Sequence, residues 1–273
     1  MEDNEIHLVI IGDEILSGKR EDKHFKKALD VTKQNNYVIK GLAYEGLRKL
    51  GKAEDFSRQY YEDGIDEIIY IDNVASLYSR EGIFELLKKS VEEIFVPITV
   101  GGGIRSVEDA YQYFLNGADK VFLNTAAVNN PDLINELAAE FGSANITLSV
   151  ETIIDEGSKN WSIYTSYGRD KSLYNLKDWI IESTERGIGE IFLSSINFDG
   201  FQNGFDLNLV DYVLSFSKVP VVLSSGFGKL DHLNNLPKTL SGIAIGSSFH
   251  YKHLDIGKVK QKLLELDYKI RNE

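Results

Sequence analysis

Two carboxylates, Asp30 in ALDVT and Glu151 in LSVET, lie about 121 residues apart, close to half of a 273-residue chain. Carboxylates facing each other across one mouth can divide general-acid and general-base work if their surroundings separate their pKa values. A similar offset, about 122 residues, relates Val96–Val128 (VPITVGGGIRSVEDAYQYFLNGADKVFLNTAAV) to Val219–Phe249 (VPVVLSSGFGKLDHLNNLPKTLSGIAIGSSF). Each stretch runs from an apolar segment into a glycine turn, through an amphipathic segment and a second apolar run, to a small polar turn. Glycine lets a backbone approach a ligand and present its N–H groups, which bind phosphate without a net positive surface. One such turn is as readily a plain strand-to-helix connection. Four at matched positions predict two phosphate cradles, one at Gly103, Asn124 and Thr125 and the other at Gly226, Gly246 and Ser247. Lys40, in YVIKG, is suited either to steady phosphate or developing charge or to sit solvated in a hairpin. Asp199, followed by Gly200 in NFDGFQNG, can bind substrate hydroxyls or form an Asx turn. Ser194 and Ser224 close two further apolar runs and complete the predicted substrate set.

The elements that must position these residues alternate from Lys52 onward. Helical spacing is read at Ala53–Asp63, Ile83–Glu93, Val107–Asn116, Pro131–Phe141, Leu176–Arg186, Leu207–Phe216 and Ile256–Ile270. Strands are read at Glu67–Asp72, Ile98–Gly101, Lys120–Asn124, Ile146–Val150, Glu190–Ser194, Val219–Ser224 and near Gly242–Gly246. With one strand before Lys52 the count is eight. Strands separated by helices require a parallel sheet with right-handed crossovers, and eight with a half-chain repeat predict a closed (βα)8 TIM barrel of the phosphate-binding kind. Its chemistry belongs at the C-terminal strand ends, where the candidate residues fall.

Composition excludes several classes. There is no cysteine, so disulfides, zinc thiolates and cysteine nucleophiles are out. A formal charge of −12 argues against nucleic acid and against anionic membrane. No apolar run approaches the roughly 20 residues that span a bilayer, and the start MEDNE lacks a basic signal region, so a cytoplasmic protein is expected. The five histidines lack metal-ligand spacing, and no P-loop or dinucleotide fingerprint occurs, so neither metal nor cofactor is implied.

Two segments compete for the first strand. Ile6–Ile11 (IHLVII) has strand propensity, whereas Phe25–Val31 leads into the matched YVIKG segment. The stretch VIIGDEILSGKREDKHF resembles the opening of molybdopterin-binding domains, so residues 1–23 are assigned to an extension or fusion remnant and residues 24–273 to the barrel. If that stretch displaces the original first strand, Asp13 takes the place of Asp30.

From about Ala28 to His250 the chain resembles the cyclase subunits of imidazole glycerol phosphate synthase, the HisF-like family. LDVTKQNNYVIKG, EGLRKLGK, GIDEIIYID, ITVGGGIRS, GADKVFLNTAAV, GEIFLSSINFDGFQNGFD and SSGFGKLDH carry the resemblance in order. It implies a lyase of histidine biosynthesis working with a glutaminase subunit, whose ammonia travels through the barrel. There it attacks a bisphosphorylated ribulosyl formimino aminoimidazole carboxamide ribotide, giving imidazole glycerol phosphate and aminoimidazole carboxamide ribotide. By the resemblance Asp30 and Glu151 are the catalytic pair and Lys40 the hairpin lysine. Glu67, Lys120 and Glu190 lie at the ammonia entrance, and Asp119 with Lys120 faces the glutaminase. Departures are Glu151 for the usual aspartate, Asn197 and Phe198 for Asp and Arg, Ser225 for a glycine and His24 for the entrance arginine. They resemble a divergent branch associated with amidine formation on surface sugars. A barrel retained only as a glutaminase-binding partner is the non-enzymatic alternative.

Overall fold

In the computed structural model, which describes residues 6–14, 37–72, 81–155, 157 and 160–271, the alternating pattern folds as a closed barrel. Its strands are β1 (His7–Glu14), β4 (Glu67–Ile71), β5 (Ile98–Gly101), β6 (Lys120–Leu123), β7 (Ile146–Ile154), β10 (Glu190–Ser195), β11 (Val221–Ser224) and β12 (Gly242–Ile245). Neighbours pair in parallel in that order, β12 pairs with β1, and β7 pairs with β10, so the ring is complete. Runs such as EIIYI and VVLS are buried almost throughout because helices cover one face and the barrel interior the other.

The helices bury one stripe each. In α2 (Glu81–Glu93) the buried residues Ile83, Leu86, Leu87 and Ser90 repeat at helical spacing. α6 (Leu176–Arg186) does the same with Leu176, Trp179, Ile180 and Ser183, and has the bounds expected from sequence. Asn175 caps it by accepting from the Lys177 N–H at 2.9 Å, and Gly187, at φ 115°, ends it. Other outer helices are α1 (Ala53–Glu62), α3 (Val107–Leu115), α5 (Asp132–Phe141), α7 (Leu207–Leu214) and α9 (Ile256–Glu265). Two short helices, α4 (Thr125–Asn129) and α8 (Ser247–His250), start at predicted cradle turns.

His7–Glu14, set apart by sequence in an extension of residues 1–23, is the first barrel strand, paired with Gly242–Ile245 on one side and Glu67–Ile71 on the other. The Leu8 N–H donates to the Asp66 carboxylate at 2.9 Å, and the Leu8 side chain is 1% exposed. A buried strand must satisfy its backbone this way, and IHLVII supplies the apolar run that allows it. Asp30 and His24 lie outside the described residues.

Two hairpins complete the C-terminal rim. β2 (Tyr37–Leu42) pairs with β3 (Glu45–Lys52), and β8 (Trp161–Thr165) with β9 (Asp170–Asn175). They follow the first and fifth barrel strands at the same half-chain offset. Both turn through non-glycine residues at positive φ: Ala43 and Tyr44 in one, Ser166 and Tyr167 in the other. The second hairpin was not expected from sequence.

Candidate active site

Side chains alternate along a strand, so every second residue points into the barrel. Inward positions fall into levels. At the N-terminal end stand Glu67, Thr99, Lys120, Thr147 and Glu190. Lys120 Nζ lies 3.0 Å from Glu67 Oε2 and 3.2 Å from Glu190 Oε2, while Thr99 and Thr147 donate to Glu67 and Glu190 at 2.5 and 3.0 Å. The three charged residues assigned to the entrance therefore meet. Asp119, on the exposed rim beside them, accepts from the Ile98 N–H at 2.8 Å. Burial pushes the Glu67 carboxyl above its ordinary range, and the ammonium beside it offsets only part of that. Burial would lower Lys120, but Glu67 and Glu190 outweigh it and hold its ammonium above the usual lysine range.

At the opposite end two clefts meet at Lys40, Asp199 and Ser224. The first is lined by Lys40, Asp199, Gly200, Ser224, Ser225, Gly226, Gly246, Ser247 and His250 among others. Every residue of the second predicted cradle is present. Lys40 Nζ bonds both Asp199 oxygens at 2.9 and 2.8 Å, each side chain being 8% exposed, so the lysine is a buried ion-pair member and not a solvated hairpin residue. The Ala43 N–H donates to the Asp199 carbonyl at 3.0 Å, fastening the hairpin to that loop. Gly226, at φ 95°, has no room for a side chain: a Cβ would collide with the Gly204 carbonyl oxygen. Ser225 keeps a positive φ of 74° where the family resemblance has glycine.

The second cleft is lined by Glu151, Ser149, Ser194, Tyr44, Tyr167, Phe122 and Phe192, together with Lys40, Asp199 and Ser224. Glu151 is half-buried near the C-terminal end of β7 and pairs in register with Ser194. Ser194 Oγ lies 2.9 Å from both Tyr44 Oη and Ser225 Oγ, a hydroxyl chain joining the clefts. Tyr44 and Tyr167 stack at 4.2 Å, closing the two hairpins over Glu151. These tyrosines and His250 were missed from sequence. The shared half-chain offset of Tyr44 and Tyr167 was the available signal.

The first predicted cradle is partly covered. Thr125 Oγ1 accepts from the Ser166 N–H at 2.9 Å and Asn124 Nδ2 donates to the Tyr164 carbonyl at 3.3 Å, so the second hairpin rests on these side chains. Asn124 Oδ1 is buried without a hydrogen-bond partner among the described residues, an acceptor left for a hydroxyl or N–H. Gly103 lies nearby in the chain after β5, at φ 66°. For the strand-one carboxylate, Asp13 stands in a bulge, and Glu14 is opposite Ile71, the register that Glu151 has opposite Ser194. Among the described residues no group of three or more His, Asp or Glu could hold a metal ion, and no helix is long and apolar enough to cross a membrane.

Residues 26–255 match the family described as histidine biosynthesis protein. The match leaves the molybdopterin-like stretch before residue 26 outside it. Among relatives, the chain is 39% identical over 229 residues to the imidazole glycerol phosphate synthase subunit HisF of Dictyoglomus turgidum, covering 84% of this chain and 90% of the relative. It is 45% identical over 206 residues to the subunit of that name from Legionella pneumophila, covering 76% and 96%. With that of Thermococcus onnurineus it shares 38% over 250 residues, covering 91% and 98%.

Proposed function

The chain belongs to the histidine biosynthesis protein family, and from that premise we propose that it is the cyclase subunit of imidazole glycerol phosphate synthase, a lyase of histidine biosynthesis. The observation that carries the reading is the junction of a glycine-lined cleft with Glu151, above a charged ring at the other end of the same barrel. Ammonia from a glutaminase subunit enters at Glu67, Lys120 and Glu190 and reaches the bisphosphorylated ribotide at the mouth. Cleavage and ring closure release imidazole glycerol phosphate and aminoimidazole carboxamide ribotide.

Gly226, Gly246 and Ser247 hold one phosphate; Gly103, Asn124 and Thr125 hold the other, with Asn124 Oδ1 free to accept from a sugar hydroxyl. Asp199, Gly200, Ser194 and Ser224 line the span between them, and Lys40 holds the Asp199 carboxylate in place by donating to both its oxygens. Glu151 moves one proton. A strand-one carboxylate moves the other: Asp30 by the sequence repeat, or Asp13 in its stead where the N-terminal run displaces the original first strand. The glutaminase docks around Asp119 and Lys120, where Phe95 and Leu115, 72% and 65% exposed, follow or end helices α2 and α3. Apolar side chains beside a charged entrance suit a partner that seals it. We place the reaction in the cytoplasm.

Calorimetric titration tests the paired cradles. The bisphosphorylated ribotide is expected to bind at least about 100-fold more tightly than a fragment carrying either phosphate alone, because the second end binds intramolecularly. Equal affinity for the ribotide and one fragment would leave a single cradle.

A further inference from the structure

Between the charged ring and the mouth, the barrel axis is crossed by an apolar level. Two residues beyond Glu67, Lys120 and Glu190, about 6–7 Å along each strand, stand Ile69, Phe122 and Phe192. With Val222 and Ala244 they form a hydrophobic cluster separate from the core that lies between sheet and helices. The two phenylalanine rings meet edge to face, centroids 5.1 Å apart, at 6% and 3% exposure. Gly101 on β5 makes room for them: a Cβ there would lie 2.7 Å from Phe122 Cβ and Cδ1. Both rings also line the cleft that contains Glu151, so one face of the pair looks to the mouth. Ser149, 2% exposed, brings a hydroxyl to this level beneath Glu151.

We propose that Phe122 and Phe192 form a valve across the barrel axis, which ammonia passes as the neutral molecule between the Glu67–Lys120–Glu190 ring and Glu151. The valve rests on the cyclase reading. An ammonium ion entering this level would lose its hydration with no carboxylate to replace it, a cost far above that of a small neutral dipole. Water is excluded for a related reason, because a water needs two to four polar partners and this level is mostly apolar. Ammonia passes when the rings rotate apart, and Ser149 receives it on the mouth side.

The test uses the complex with the glutaminase subunit and compares glutamine with ammonium chloride as nitrogen source. Ammonium chloride also reaches the cleft through the open mouth, so it bypasses the valve. Phe122→Trp fills the remaining space. It is expected to lower product formed per glutamate released by about tenfold or more beyond any change in the same variant's own ammonium-driven turnover, since a close-packed interior has no other path. Phe192→Trp, two strands away across β7, carries the same expectation if the first variant does not fold. If neither variant changes product per glutamate, or if both nitrogen sources decline together in the folded variants, the valve is refuted. An unmodified protein inert with ammonium chloride would instead remove the cyclase reading, and the valve with it.

Discussion

Glu151→Gln is expected to lower ammonium-driven turnover about 10²- to 10⁴-fold, the usual contribution of a positioned proton-transfer group. The substitution keeps the shape of the side chain and removes its ability to exchange a proton. Glu151 lies in the cleft under the Tyr44–Tyr167 stack, with Ser149 and Ser194 as neighbours and the glycine cradle on the adjoining side. None of the cradle backbone moves in the variant, so the dissociation constant of the bisphosphorylated ribotide stays within about threefold. Single-turnover kinetics beside calorimetry separate the two quantities. Equal losses in binding and turnover would make Glu151 a binding group only. Asp13→Asn and Asp30→Asn, measured the same way, identify the strand-one partner by which one shows the turnover loss.

Lys40→Met has the largest expected effect on stability. Asp199, 8% exposed at its side chain, would keep its carboxylate without the ammonium that bonds both its oxygens. Breaking one side of a buried ion pair costs about 3–5 kcal/mol. At about 2–4 °C per kcal/mol for a domain of this size, the thermal midpoint drops by roughly 6–20 °C. Replacing both members, Lys40→Met with Asp199→Leu, removes the stranded charge and recovers most of that loss, because a well-packed apolar pair is close to neutral in such positions. Substrate binding does not recover, since Asp199 lines both clefts. A thermal melt and a titration on the three variants check this. Recovery of binding in the double variant would restrict the pair to a structural task.

The barrel was legible because its strands are apolar runs between helices that bury residues at a spacing of three and four. Leu176–Arg186 carries an Asn cap before it and a glycine after it, so both its limits were readable. The glycine cleft was legible too, since Gly226 must turn at positive φ and Ser247 follows another small turn. The β8–β9 hairpin was not. Asp170–Asn175 is largely solvent-facing, so no burial pattern marks it, and its turn uses Ser166 and Tyr167 at positive φ where glycine or asparagine is the usual signal. The propensity of IHLVII was visible, but resemblance and repeat both pointed to Asp30, and only the hydrogen bond from Leu8 to Asp66 and the pairing with β4 and β12 place that run inside the barrel. The phenylalanine valve illustrates another limit. Lys120, Phe122 and Asn124 alternate plainly, as do Glu190, Phe192 and Ser194, yet the two rings meet only because β6 and β10 flank β7 on the inner face of the curved sheet.

Initial-rate turnover of the bisphosphorylated ribotide by the purified protein, with ammonium chloride as the sole nitrogen source and no glutaminase present, tests the cyclase assignment most directly. The account predicts imidazole glycerol phosphate and aminoimidazole carboxamide ribotide in equal amounts, at a rate that saturates in both substrates. A ribotide that binds but remains intact at saturating ammonium would contradict it.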